Sequence, residues 1–168
     1  MLITPDYCRL TSHYNLWQNN GLRQIVEAMP DAELRADRGA FFGSILGTLN
    51  HLLWGDQIWL HRLDGGPRPT GSIADSVNLT PTAAVWGAER FRTDGRLTRW
   101  ASGLRAVDLI GNLTWTSGAQ GREISQPLQT IVIHLFNHQT HHRGQVHAML
   151  TAAGQKPGDT DLIFMPPA

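Results

Sequence analysis

The sequence predicts an all-α fold, an antiparallel four-helix bundle with a small β-hairpin before the last long helix, in one domain spanning residues 1–168. Three observations support this prediction. Four long segments carry apolar residues three and four positions apart, which is the period of a helix that faces a core. Stretches rich in Gly and Pro separate these segments and act as stop signals. Before the last segment, two short strand-like arms flank a Ser-Gly-Ala-Gln-Gly turn.

The first helix is predicted from Thr4 or Pro5, a cap and first-turn pair, to Met29, where Pro30 stops it. Steps of three and four residues define its expected inward stripe. Tyr14 lies in the middle of this stripe, where its hydroxyl either lines a site or completes the packing of the core. The members of the stripe are Tyr7, Leu10, Tyr14, Trp17, Gly21, Ile25 and Met29.

A connection over residues 30–42, with a short helical turn at its start, leads to the second helix. We expect this helix from Ser44 to about Leu63, where Asp64-Gly65-Gly66-Pro67 ends it. It carries His51 on a stripe with small neighbours. Gly47 and Gly55 each cost about 1 kcal/mol in a helix relative to Ala, which indicates close approach or open space beside them.

After a loop at 65–80, Thr80-Pro81 predicts the start of the third helix, which extends to about Leu104. The predicted hairpin covers Asn112 to Glu123. Ser125 as the cap and Pro127 in the first turn then begin the last helix, which ends near Ala153 before Gly154. The tail at 157–168 contains the apolar run Leu162–Met165, which we expect to pack back on the helices.

Composition excludes several classes of function. The chain has 14 basic and 14 acidic residues and no basic run, which argues against a nucleic-acid partner. With 41% hydrophobic and 17% charged residues it resembles a soluble globular protein. Its single cysteine, Cys8, rules out a disulfide framework and is expected to be a buried structural thiol. The absence of a leader-like N-terminus and of a long apolar run predicts a cytoplasmic protein without a membrane partner.

Histidines concentrate in the last helix. Five of the eight lie within Ile131–Leu150. Two of them, His138 and His142, belong to the predicted core-facing stripe, which consists of Ile131, Leu135, His138, His142, Val146 and Met149. A buried imidazole needs hydrogen bonds or a metal ion to satisfy it.

Spacing makes His138 and His142 candidate metal ligands. Residues four apart on a helix have Cβ atoms about 5–6 Å apart, so both imidazoles can bind one ion. His51 is the best candidate for a third ligand, because it lies mid-helix among apolar neighbours, whereas His13 and His61 lie nearer polar positions and helix ends. Of the other histidines of the last helix, His134 is expected to support the site or pack beside it, His141 points away from it and His147 lies off the stripe.

Three neutral imidazoles with an open fourth position are typical of a catalytic rather than a structural metal site. Such ligands favour Zn²⁺, Ni²⁺ or Fe²⁺ over Mg²⁺ or Ca²⁺. Protons should compete with the metal below about pH 6. Asp56 is expected to project to another face, so no carboxylate base lies beside the three histidines, which favours a metal-activated thiol over hydrolysis assisted by a carboxylate.

Three strings of residues resemble the DinB family of bacterial metal-binding four-helix bundles, whose superfamily includes the YfiT-like proteins. The strings are Asn137-His-Gln-Thr-His-His-Arg-Gly-Gln145, Leu49-Asn-His-Leu-Leu53 and Tyr14-Asn-Leu-Trp17. The resemblance implies a ligand triad of His51, His138 and His142. It also implies a homodimer, and a thiol-dependent enzyme such as an S-transferase or a mycothiol-dependent isomerase.

Two alternatives to an enzyme remain open on the sequence. In the first, the chain is a metal- or ligand-binding protein with no catalytic role. In the second, it is a helical interaction domain whose histidines are polar members of the core. An enzyme would act on a small-molecule substrate, with a divalent transition metal and a low-molecular-weight thiol and electrophile as its reaction partners.

Overall fold

A computed structural model describes residues 2–118 and 120–167. The described chain is mostly helical, with one two-stranded antiparallel sheet. Its helices are α1 (Pro5–Ala28), α2 (Asp31–Arg35), α3 (Ile45–Asp64), α4 (Ala83–Gly103) and α5 (Leu128–Ala152), and its strands are β1 (Asn112–Ser117) and β2 (Arg122–Pro127). Short 3₁₀ turns lie at Ser76–Asn78, Ala106–Leu109 and Leu162–Phe164.

Side-chain caps begin three of the long helices. The hydroxyls of Thr4, Ser44 and Thr82 each accept a hydrogen bond from the backbone N–H three residues later. The predicted start of the third helix at Thr80-Pro81 was therefore two residues early, because Thr82 is the residue that supplies the cap. Gly65, with a φ of 71°, ends α3 at the predicted stop signal.

The last long helix begins directly after the hairpin. Ser125 was predicted as its cap, but this residue belongs to β2, where its hydroxyl accepts a hydrogen bond from Thr114 across the sheet. Helix α5 starts at Leu128, whose N–H donates to the carbonyl of Gly111. The hairpin was predicted correctly in place, although β2 is longer than expected, and Ala119 of its turn lies outside the described residues.

The four long helices contact one another. Helix α1 packs against α4 and α5, and α3 packs against α4 and α5. The antiparallel bundle arrangement itself stays a prediction. Because α3 is also covered by α2 and by the Ser76–Asn78 turn, it is the most enclosed helix, buried at nearly every position from Ile45 to Leu60. Within the described residues, no helix is long and apolar enough to cross a membrane.

The buried face of α1 is one residue away from the predicted stripe. Its buried residues are Cys8, Ser12, Asn15, Asn19, Leu22 and Val26, whereas the predicted member Leu10 is 46% exposed. The prediction was wrong because it followed the aromatic and apolar residues, while the true face carries polar side chains. Asn15 and Asn19 bond to Asp94 of α4, whereas Ser12 bonds to the Arg9 carbonyl of its own helix.

Two apolar clusters form the core. One lies around Leu49, Trp86 and Val146, and the other around Leu60, Leu97 and Leu135. On each long helix, buried polar residues separate the positions that belong to the two clusters. The core is therefore divided by a polar layer that crosses all four helices.

The C-terminal segment is held by polar rather than apolar contacts. The hydroxyl of Tyr14 donates to the carbonyl of Thr160 at 2.6 Å, and the Gln18 amide donates to that of Asp159. The side chains of Leu162, Ile163 and Phe164 are exposed. The expectation that this apolar run packs back on the helices was therefore wrong, and Tyr14 anchors the tail by its hydroxyl.

Candidate metal centre

His51, His138 and His142 come together between α3 and α5. Each offers one ring nitrogen, and these three atoms lie within 4.8 Å of one another. The Nε2 atoms of His51 and His138 are 3.2 Å apart. Two nitrogens bound to one tetrahedral Zn²⁺ at 2.0–2.1 Å would be about 3.3 Å apart, so this pair already has the required separation. The three side chains could therefore hold a metal ion.

Hydrogen bonds orient two of the three rings. Ser76 Oγ donates to the carbonyl of Ile73, so it accepts from Nδ1–H of His51 at 3.0 Å. In the same way Gln145 Oε1 accepts from Nδ1–H of His142 at 2.8 Å. With Nδ1 protonated, each ring turns an Nε2 lone pair toward the centre. Such partners are typical of histidines that bind metals.

His138 is positioned by a glycine. A Cβ added at Gly55 would lie 2.7 Å from Cε1 of His138, so the ring rests against the bare backbone of α3. Of the two alternatives that the sequence left for Gly55, close approach or open space, the structure shows close approach. His138 Nδ1 is buried and has no hydrogen-bond partner among the described residues. His138 therefore lacks the Nδ1 partner that orients the other two rings.

Burial favours the neutral form of these imidazoles. Burial, together with a smaller effect of the neighbouring His142, lowers the pKa of His51 to about 4 and of His138 to about 3. The pKa of His142 is also lowered, again chiefly by burial. The rings therefore stay neutral, as metal binding requires, down to a pH well below the value of about 6 expected from the sequence.

Phe42 covers the cluster from the loop between α2 and α3. Its ring stacks on His51 with centroids 3.7 Å apart and meets the ring of His142 edge-on. The sequence reasoning missed this residue, because a phenylalanine in a loop carries no sign of its neighbours. It also missed Ser76, which reaches His51 from a loop. Gln145 was missed as well, but its position three residues after His142 could have indicated the contact.

The remaining histidines lie outside the cluster. His134 stacks beside His138, with ring centroids 5.7 Å apart, in the supporting position expected for it. His141 is exposed, and its Nε2 lies 3.2 Å from the Gln145 amide nitrogen. His13 and His61 contact backbone carbonyls elsewhere. His147 is half-buried, and it too lies apart from the three-histidine cluster.

The polar layer of the core adjoins this cluster. Asp56 is fully buried and binds Arg90 at 2.5 Å and the Gln139 amide at 3.0 Å, so it faces away from the histidines as predicted. Arg90 also binds Asp94, which accepts hydrogen bonds from Asn15 and Asn19 on α1. Burial opposes the charge of Arg90, but Asp94 and Asp56 outweigh it and raise its pKa.

This layer connects the two helices that carry the clustered histidines, α3 and α5. Gln139 follows His138 on α5, and Asp56 follows Gly55 on α3. Their hydrogen bond therefore joins α3 to α5 beside the point where His138 rests on Gly55. Arg143, which follows His142, is buried and bonds to Asn15 on α1.

An open groove lies elsewhere on the molecule. It has a volume of about 650 Å³ and runs between the loop after α3 and helix α4, with Gln57, Thr93 and Arg96 among its lining residues. None of the three clustered histidines lines it. Two of its arginines are paired with acidic neighbours, Arg92 with Glu89 and Arg96 with Asp64. The chemistry of the histidine cluster is therefore separate from this groove.

Comparison with known proteins agrees with the resemblance seen in the motifs. Protein DinB of Bacillus subtilis (strain 168) is 23% identical to this chain over 169 residues, which is 95% of each protein. The family model described as DinB family matches residues 6–167. Because this match spans nearly the whole sequence and includes all three clustered histidines, the chain belongs to the DinB family.

Proposed function

We propose that this protein is a metal-dependent enzyme whose ion is held by His51, His138 and His142. The observation that carries the proposal is the facing pair of Nε2 atoms, 3.2 Å apart, whose rings are buried and depressed in pKa. In one tautomer of His138 two lone pairs face each other at this distance, and in the other its Nε2–H donates to His51 Nε2; a cation between the two nitrogens would be bound by both lone pairs. Three nitrogen ligands select zinc, nickel or iron over magnesium or calcium.

A divalent ion bound there would lower the pKa of a coordinated thiol or water and so supply a nucleophile near neutral pH. The residues of the chain serve this chemistry by orientation. Ser76 and Gln145 keep the Nδ1 protons of His51 and His142 in place, and Gly55 leaves room for the ring of His138. Phe42 covers one side of the site and excludes water from it.

The substrate side of the proposal favours thiol transfer over hydrolysis. The nearest buried carboxylate, Asp56, is engaged by Arg90 and Gln139 and is not available as a base at the cluster. A low-molecular-weight thiol that acts as cosubstrate toward a small electrophile needs no such base. The family resemblance supports the same choice and a homodimeric assembly, and we propose a cytoplasmic location.

Metal content tests the site. Protein purified without an affinity tag should contain one divalent metal per chain and should unfold at a higher temperature after addition of Zn²⁺ or Ni²⁺. His142→Ala should lose both properties. His147→Ala is the matched control, since it removes a histidine of the same helix outside the cluster. Wild-type protein that neither holds nor gains metal would refute the site.

Activity separates an enzyme from a metal-binding protein without a catalytic role. Metal-loaded wild type should accelerate the conjugation of a low-molecular-weight thiol to 1-chloro-2,4-dinitrobenzene or a similar electrophile, and His142→Ala should not. Equal rates for the two proteins, with metal bound to the wild type, would instead favour the non-enzymatic alternative.

A further inference from the structure

A row of aromatic rings leads away from the histidine cluster. It begins at His138, continues through His134 at 5.7 Å between ring centroids, and reaches Trp59 after another 5.2 Å. Trp115 of strand β1 lies 5.3 Å from Trp59. The row thus joins α5, α3 and the hairpin in one continuous surface. It gives the hairpin a contact with the side of α3 that carries the cluster.

Arg62 lies at the far end of this row. Its guanidinium carbon is 4.4 Å from the ring centroid of Trp59 and 5.3 Å from that of Trp115. Both distances are within the range of cation–π contacts. Arg62 thus lies within cation–π range of two indoles that belong to different elements of the fold.

This arginine has no acidic partner. Among residues 2–118 and 120–167, no carboxylate forms a salt bridge with it. The charged neighbour that affects it is another cation, Arg68, which lowers its pKa after the larger effect of burial. Two neighbouring positive charges on a half-buried surface attract an anion from outside.

The stacked geometry leaves the guanidinium able to bind such an anion. The two indole planes are 75° apart, so the flat face of the guanidinium can be parallel to only one of them, and the N–H donors that face neither ring are open to a ligand. This planar fork matches the oxygens of a carboxylate or a phosphate and binds them with two parallel hydrogen bonds. Indole rings on the same surface would contact the apolar part of a ligand.

Helix geometry gives the distance between this subsite and the cluster. Trp59 is eight residues beyond His51 on α3, which corresponds to roughly 12 Å along the helix axis. Arg62 reaches back over the ring of Trp59, so its charged group lies at about the same level. A ligand that bridges the two positions must be elongated.

We propose that Arg62, in cation–π contact with Trp59 and Trp115, binds the carboxylate or phosphate group of an elongated substrate whose reacting end lies at the cluster of His51, His138 and His142. This inference rests on the proposed function, because it assigns the substrate class of the same site. A clamp between the hairpin and α3 is the alternative role of Arg62. That role needs no anion.

Two thiols of equal length test the subsite on cobalt-loaded protein, where thiolate binding gives a charge-transfer absorption band. We expect ω-mercaptooctanoate to bind wild type about tenfold more tightly than ω-mercaptooctanol, a difference of about 1.4 kcal/mol. Arg62→Met should abolish this preference and Arg62→Lys should retain part of it. Arg99→Met, which removes an exposed arginine of α4, should keep it fully.

The short mercaptopropionate provides a length control, because it cannot span roughly 12 Å. Its affinity should be the same for wild type and Arg62→Met. The proposal is overturned if wild type does not prefer the long carboxylate, or if Arg62→Met keeps the preference. Either result would leave the metal centre intact.

A measurement without metal separates failure of the subsite from failure of the proposed function. Octanoate and octyl phosphate should each shift the indole N–H signals of Trp59 and Trp115 in the NMR spectrum of metal-free protein, and the larger shift identifies the preferred oxyanion. These shifts should vanish in Arg62→Met. If cobalt does not bind at all, the proposed function fails, and unchanged indole signals would then overturn the subsite as well.

Discussion

Gly55 offers the sharpest perturbation of the histidine cluster. A Cβ at this position would lie 2.7 Å from Cε1 of His138, whereas carbon atoms in contact are about 3.5–4.0 Å apart. In Gly55→Ala the imidazole must therefore move by about 1 Å. A shift of this size moves Nε2 of His138 away from the position, 3.2 Å from His51 Nε2, that suits a shared ion.

We expect Gly55→Ala to weaken metal binding at least tenfold, or by about 1.4 kcal/mol, comparable to the loss of a ligand's orienting partner. The metal-free protein should not be destabilised to the same extent, because Ala is favoured over Gly in a helix by about 0.5–1 kcal/mol. Competition with a chromophoric chelator measures the affinity, and urea unfolding in EDTA measures the stability.

Gly21→Ala is the matched control for this experiment. Gly21 lies within α1, and an added Cβ there would have no atom within 4 Å. The control should gain the same helix propensity and keep wild-type metal affinity. The reasoning is refuted if Gly55→Ala binds zinc as tightly as Gly21→Ala does.

Three other predictions concern the surroundings of the cluster. Ser76→Ala removes the acceptor of His51 Nδ1 and should weaken metal binding about tenfold. The control Ser102→Ala, on the exposed side of α4, should keep wild-type affinity, and equal affinities of the two variants would count against an orienting role of Ser76. Asp56→Ala leaves Gln139 without its buried partner and Arg90 with Asp94 alone, and should cost about 3–5 kcal/mol in urea unfolding, against less than about 1 kcal/mol for the exposed pair removed by Asp6→Ala. Because the pKa values of His51 and His138 fall to about 4 and about 3, protons compete with the metal only at low pH. Zinc should therefore stay bound at about pH 5.5 and be released as the pH falls toward about 4. Release of half the zinc near about pH 6.5 in the folded protein would contradict the lowered pKa values.

The long helices and the histidine cluster were predictable because their signals are local or periodic. The stripe of α5 from Ile131 to Met149 is buried as predicted, apart from the half-buried His138. Capping hydroxyls and glycine stops placed most helix ends within two residues. His51 could be selected because a histidine with small and apolar neighbours in mid-helix is unusual.

The polar layer could not be predicted, because its stability depends on pairing between helices. Asn15, Asn19 and Asp94 are ordinary surface residue types, and nothing within α1 or α4 indicates that they meet. Their burial rotates the true inner face of α1 by one residue and leaves Leu10 in solvent. The same limit applies to Ser76 and Phe42, which reach the cluster from loops.

An anomalous-scattering map from crystals of protein purified without an affinity tag tests the central claim most directly. Data collected on both sides of the absorption edges of zinc, nickel and iron identify the element as well as its position. The account predicts one strong peak between α3 and α5, about 2.0–2.1 Å from a nitrogen of each of His51, His138 and His142. A map with no peak there after the crystals are soaked in zinc, or with a metal bound by other residues, would contradict it.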